Sequence, residues 1–135
     1  MRQTVNSQYG YVLDASAVLA LLNQETGSLK VEQALLLPKT VMSVVQLAEV
    51  SAKLVQVGIS IQDTEKILAT LAIPIEPFTE DIAFKSSELM TLAKPLGLSL
   101  GDRICLATGL ILNLPVLTAD KIWLQMPNVV VELIR

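Results

Sequence analysis

The stretch Tyr11-Val12-Leu13-Asp14-Ala15-Ser16-Ala17-Val18-Leu19-Ala20-Leu21-Leu22 changes its period at Asp14. Before the aspartate the chain is a short apolar run bounded by Gly10. After it, Val18, Leu19, Leu21 and Leu22 recur at the spacing of one helix face. A strand therefore feeds a helix through an acidic residue. Residues 1–9, which are polar, read as a flexible N-terminal lead.

The same alternation continues downstream. A second helix is expected over 28–36, closing before Pro38, and a short strand over 40–42. Ser43 with Gln46 three residues on reads as a capping box opening a long helix, which runs to about Val57 and stops at Gly58. Ser60 with Asp63 starts another helix, to about Leu71, and residues 73–75 read as a strand. Thr79 with Glu80 and Asp81 opens a helix ending near Pro95 and Gly97. Ser99 with Asp102 caps one that reaches Asn113. Residues 116–118 and 129–134 are the remaining strands, with a short helical turn over 119–124 between them. Short apolar runs alternating with helices are the pattern of βαβ units. The expected fold is α/β, a three-layer α/β/α sandwich with a mostly parallel sheet of about five strands, in a single domain over 1–135.

Composition restricts the chemistry. There is no histidine among the 135 residues, which removes serine–histidine–aspartate and cysteine–histidine catalysis and any histidine-bearing zinc site. The single cysteine, Cys105, excludes an internal disulfide and sits in an apolar helical run, where it reads as a small buried hydrophobe. Net charge is −3, so nothing resembles the broad basic footprint of a protein that holds nucleic acid by charge alone. No stretch approaches the ~20 apolar residues of a membrane helix, and no signal-peptide pattern opens the chain. A cytoplasmic protein is expected.

The carboxylates remain. Asp14 and Asp120 each follow a strand, Asp102 opens a helix, and Glu49 lies about two turns into the helix that follows the second strand. Each has an ordinary reading. Asp14 or Ser16 caps the next helix, Glu49 pairs with Lys53 at i+4, Asp102 completes a capping box, and Asp120 is a loop aspartate. Taken together, all four fall at the carboxyl edge of the sheet, where ligands of open α/β folds gather. Four converging carboxylates repel one another unless a cation sits among them, and all-oxygen ligation favours Mg²⁺ or Mn²⁺, as one or two ions. Ser16 and Thr118 are placed to orient carboxylates or water from behind. Arg103, Lys121 and Lys53 are each more simply read as helix-surface charge, but as a trio they would offer local attraction to phosphate.

Residues 11–22, 43–50 (Ser43-Val44-Val45-Gln46-Leu47-Ala48-Glu49-Val50), 98–107 (with Gly101-Asp102-Arg103) and 116–120 (Val116-Leu117-Thr118-Ala119-Asp120) resemble, in order and spacing, the motifs of PIN-domain ribonucleases. The similarity is strongest to VapC-type toxins of toxin–antitoxin pairs. The resemblance implies an endoribonuclease whose Asp14, Glu49, Asp102 and Asp120 hold Mg²⁺ or Mn²⁺. It also implies an RNA substrate, an antitoxin protein as partner and a homodimer. Two other classes are weighed beside it. A receiver-like module would carry paired acids after its first strand, whereas Asp14 stands alone. A nucleotide-binding domain would need a glycine-rich phosphate loop that six glycines do not form. A non-catalytic PIN-like binding module is the remaining alternative.

Overall fold

Val12 and Leu13 make up the first strand, β1 (Val12–Leu13), and face opposite sides of the sheet as strand neighbours must. Val12 packs into one apolar layer and Leu13 into the other, and Val116 and Leu117 divide in the same way. Two layers on two faces follow from that alternation. The structure is a computed structural model that describes residues 8–135. Residues 1–7 of the expected N-terminal lead fall outside the described residues, and Gln8 and Tyr9 form an exposed turn.

The remaining strands are β2 (Met42–Ser43), β3 (Ile75–Glu76), β4 (Val116–Thr118) and β5 (Val131–Leu133). β1 pairs with β4, β4 with β5, and β2 with β3, all in parallel. A single parallel bridge between Val12 and Val41 joins the two sets. The spatial order is thus β3-β2-β1-β4-β5, reversing direction between β1 and β4. The helices are α1 (Ala15–Leu22), α2 (Ser28–Leu35), α3 (Val44–Gln56), α4 (Ile61–Leu71), α5 (Glu80–Glu88), α6 (Met90–Ala93) and α7 (Leu100–Leu112). Helices α1 to α4 cover the Leu13 face through Val18, Val31, Val50 and Leu68. Helices α5 and α7 cover the Val12 face through Ile82, Ile104 and Leu106, with Leu89 just beyond the end of α5. The expected three-layer α/β/α sandwich is what forms.

Boundaries move for identifiable reasons. Strand β2 begins two residues later than expected because Thr40 turns its hydroxyl to the backbone, donating to the Ala34 carbonyl at 2.6 Å and accepting from the Tyr11 N–H at 3.2 Å. Strand β3 lies over 75–76 rather than 73–75. Pro74 has no N–H and contributes only its carbonyl, which accepts from Met42 at 3.0 Å. The helix expected to run from Thr79 to about Pro95 breaks at Leu89 into α5 and α6, then tightens into a 3₁₀ turn over Lys94–Leu96. Asn113 adopts a left-handed conformation (φ 56°) and ends α7.

The capping box expected from Ser43 and Gln46 does not form. Ser43 accepts from the Val45 N–H instead, and the Gln46 side chain is drawn fully into the interior. By contrast Ser60 and Thr79 cap as expected, and Ser99 and Asp102 make both bonds of a capping box. No helix among the described residues is long and apolar enough to cross a membrane.

Helix α7 lies close against β4 because residue 109 is glycine. A Cβ there would come within 2.6 Å of Val116 Cγ2 and 3.0 Å of the Leu114 carbonyl oxygen. Alanine would gain about 1 kcal/mol in helix propensity but overpack this contact, at roughly 1–3 kcal/mol. Gly109→Ala is therefore expected to lower stability by up to about 2 kcal/mol in urea denaturation. An unchanged midpoint would mean that α7 is free to draw back from β4.

Candidate functional site

In an open parallel sheet the crevice for a ligand lies where strand order reverses, outside the carboxyl ends of the strands. Here that point is between β1 and β4. Asp14 follows β1 directly, and Thr118 ends β4. Their side chains span the gap: the Thr118 hydroxyl donates to Asp14 Oδ2 at 2.8 Å, and Ser16 donates to the same oxygen at 2.7 Å. The two hydroxyls lie 3.2 Å apart. Behind them, the Ala119 N–H donates to Ser16 Oγ and the Asp120 N–H to Thr118 Oγ1. Both polar residues singled out in the sequence thus hold the Asp14 carboxylate, and neither hydroxyl occupies its Oδ1.

Asp14 is 5% exposed. It stands at the N-cap position of α1, but its side chain makes no capping bond, so its ordinary reading as a helix cap is set aside. The N–H of Ala15 is satisfied instead by Gln46 Oε1, at 3.2 Å. Burial pushes the Asp14 carboxyl above its usual range; the two hydroxyls pull it back, the negative charge of Asp102 pushes it up again, and the adjacent Ala15 N–H draws it down.

Glu49 is half-buried on α3. The expected i+4 ion pair with Lys53 is absent: the ion pairs among the described residues are Lys30–Glu132, Lys85–Glu88 and Arg135–Glu25. The Glu49 carboxylate leans instead over the first turn of α7. Gly101 makes room for it, since a Cβ at that position would collide with Glu49 Oε1. Burial raises the Glu49 carboxyl, and the charges of Asp14 and then Asp102 add to the effect.

Asp102 is a capping residue and more. Its Oδ2 accepts from the Ser99 N–H at 2.9 Å, which leaves Oδ1 outside the capping bond. The same three acids act on buried Cys105, whose thiol is pushed well above its ordinary range by burial first and by Asp14, Asp102 and Glu49 after it. Cys105 is a core residue, as the sequence suggests.

Asp120 stands apart. It is exposed, and its Oδ1 caps the 3₁₀ turn Lys121–Gln125 through the Ile122 N–H at 3.1 Å. Its charge is not among those acting on Asp14 or Glu49. Three of the four expected acids come together at the switch point, and the fourth hangs at the rim from Thr118. Among the described residues no three carboxylates converge tightly enough to ligate one ion as they stand. Closing around a cation requires side-chain rotation, of Glu49 foremost. The donor set nevertheless fits a hard divalent cation: oxygens only, from three elements, mutually repelling, and with no basic side chain ion-paired to any of them among the described residues.

The basic trio is not equivalent. Arg103 is partly buried and donates through Nη1 to the Ser86 carbonyl at 3.2 Å, so it ties α7 to α5 rather than lying free on the surface. Lys121 is exposed beside Asp120 at the rim. Lys53 is one turn beyond Glu49, about 6 Å further from the edge.

Gln46 is the site residue that the sequence reading misses. A signal exists: 46, 50 and 54 share the buried face of α3 with Val50 and Leu54, and a polar residue on such a face needs partners.

Comparison with known proteins places this geometry. A family model described as PIN domain matches residues 11–129. No curated protein matches. Among solved structures, the chain is similar to a toxin–antitoxin complex from Klebsiella pneumoniae at 22% identity and TM-score 0.72, covering 93% of this chain and 98% of that one. It is similar to VapBC2 from Rickettsia felis bound to a DNA fragment from their promoter, at 19% identity and TM-score 0.73, covering 91% and 97%. VapBC-1 from nontypeable Haemophilus influenzae follows at 20% and 0.73, covering 92% and 97%. These structures share the fold.

The raised Asp14 carboxyl has a consequence for stability. A carboxyl that binds its proton more tightly when folded favours the folded state at low pH, and that advantage is lost as pH rises through the folded value. In EDTA, Asp14→Asn is expected to melt a few degrees above wild type at about pH 7, and the gap is expected to shrink toward pH 4. Paired thermal melts check this. A variant no more stable than wild type at neutral pH would contradict the clustered geometry.

Proposed function

Starting from a chain that belongs to the PIN-domain family, as the match over residues 11–129 establishes, we propose that it is a Mg²⁺- or Mn²⁺-dependent endoribonuclease, the toxin of a toxin–antitoxin pair. One observation carries the reading. Asp14, Glu49 and Asp102 reach the β1–β4 switch point from three separate elements, and no cation of the protein is ion-paired to any of them among the described residues.

In this reading Asp14, Glu49, Asp102 and Asp120 would hold the metal, the first three from the crevice and Asp120 from the rim. Ser16 and Thr118 hold the Asp14 carboxylate in one rotamer, so that little ordering is left to do on binding. A divalent ion held there supplies the Lewis acidity that lets water act as nucleophile on a phosphodiester without histidine. Lys121 at the rim and the outward part of Arg103 attract the RNA backbone locally, against a net charge of −3. The antitoxin partner and the homodimer belong to the same proposal, supported by the toxin–antitoxin complexes that share the fold, and so does a cytoplasmic location.

The purified chain, freed of any co-purifying protein, is expected to cleave a mixed pool of single-stranded RNA with Mg²⁺ or Mn²⁺ and to stop in EDTA. Asp102→Asn and Glu49→Gln are expected to lose more than about a hundredfold in rate, beyond what a change outside the ligand set costs. Cleavage that persists in EDTA, or that survives both substitutions, would overturn the proposal.

A further inference from the structure

Gln46 is fully buried on α3, one turn before Glu49 and on an adjoining face. Its Oε1 accepts the Ala15 N–H at 3.2 Å, and its Nε2 donates to the Gly101 carbonyl at 2.9 Å. Ala15 directly follows Asp14, and Gly101 directly precedes Asp102. One amide therefore bonds to the backbone beside each of two acids, from the helix that carries the third.

The first bond has a further effect. The leading N–H groups of a helix need acceptors, and an aspartate at the N-cap ordinarily supplies one. At α1 the Asp14 side chain makes no such bond, and Gln46 Oε1 accepts the N–H of the first helical residue, Ala15. The carboxylate is left to the two hydroxyls and to the crevice. Both functions of the amide are used: a carboxylate at 46 could not donate to Gly101, and an apolar side chain could not accept from the Ala15 N–H.

We infer that Gln46 is the positioning residue of the acidic centre, accepting the first N–H of α1 and fixing the Asp14 segment to the first turn of α7. The backbone carrying Asp14 and the backbone carrying Asp102 are thereby tied to each other across the crevice. The inference rests on the metal site proposed above and adds to it the element that sets its spacing. It assigns Gln46 no contact with substrate or metal.

The test is Mn²⁺ binding followed by the EPR signal of free Mn²⁺, a readout independent of cleavage. The proteins are wild type, Asp102→Asn, Gln46→Met and Ala15→Pro. Methionine keeps the length and bulk of glutamine without its hydrogen bonds. Ala15→Pro removes the same bond from the other side, at the first helical position, which tolerates proline; Asp14, at φ −72° and ψ 156°, already has the backbone that a following proline demands. Near-UV circular dichroism checks that each variant is folded. Folded Gln46→Met and Ala15→Pro are expected to bind Mn²⁺ about tenfold or more weakly than wild type. If Gln46→Met does not fold, Ala15→Pro alone decides. A purely structural role would lower the melting temperature and leave the affinity of the folded protein unchanged; a folded variant binding within about twofold of wild type would overturn the inference while leaving the metal site intact. Wild type and Asp102→Asn binding equally weakly would overturn the site itself, and the role of Gln46 with it.

Discussion

A carboxylate taken out of water needs a reason to remain charged, and Asp14 is nearly enclosed at the point where the sheet reverses its order. Two hydroxyls on Oδ2 are the protein's compensation; the charge of Asp102 works against it. Much of the local structure serves this arrangement. Thr118 must end β4 opposite the end of β1 for its hydroxyl to reach across. Glycine at 101 leaves room for the Glu49 carboxylate to lie over the first turn of α7. The first N–H of α1 is met by Gln46, while the Asp14 side chain makes no capping bond and faces the crevice. Each of these choices gives up local stability or flexibility for electrostatic placement, as expected where sequence rules bend for function.

The fold was legible because its signals are local and repeated. A period change at Asp14, three serine or threonine caps that form as read, and a proline or glycine near most element ends suffice to lay out a parallel α/β sheet. The edges of the strands were less legible. Thr40 and Pro74 alter the ladder through a side-chain bond and a missing donor, and neither effect is visible until the partner strand is known.

The site was legible in its residue types and only partly in its roles. Position relative to strand ends marked Asp14, Glu49, Asp102 and Asp120, but sequence position could not separate the three that interact from the one at the rim. Asp102 illustrates why a structural and a chemical reading need not compete: capping uses one carboxylate oxygen and leaves the other. Gln46 and Arg103 were misread because each satisfied a plausible local rule, a capping box in one case and a solvated charge in the other. Their actual partners, Ala15 with Gly101 and the Ser86 carbonyl, are distant in the chain. Long-range hydrogen bonds of this kind carry no periodic signature.

The most direct measurement is an anomalous difference map from crystals of the wild-type chain soaked in Mn²⁺. A divalent centre at the switch point requires a peak between β1 and β4, with Asp14 Oδ1 and Asp102 Oδ1 at metal–oxygen bonding distance, about 2.1 Å for an ion of the Mg²⁺ class, and Glu49 rotated toward it. A fully soaked crystal with no peak between these acids, or with Mn²⁺ held only elsewhere on the molecule, would contradict it.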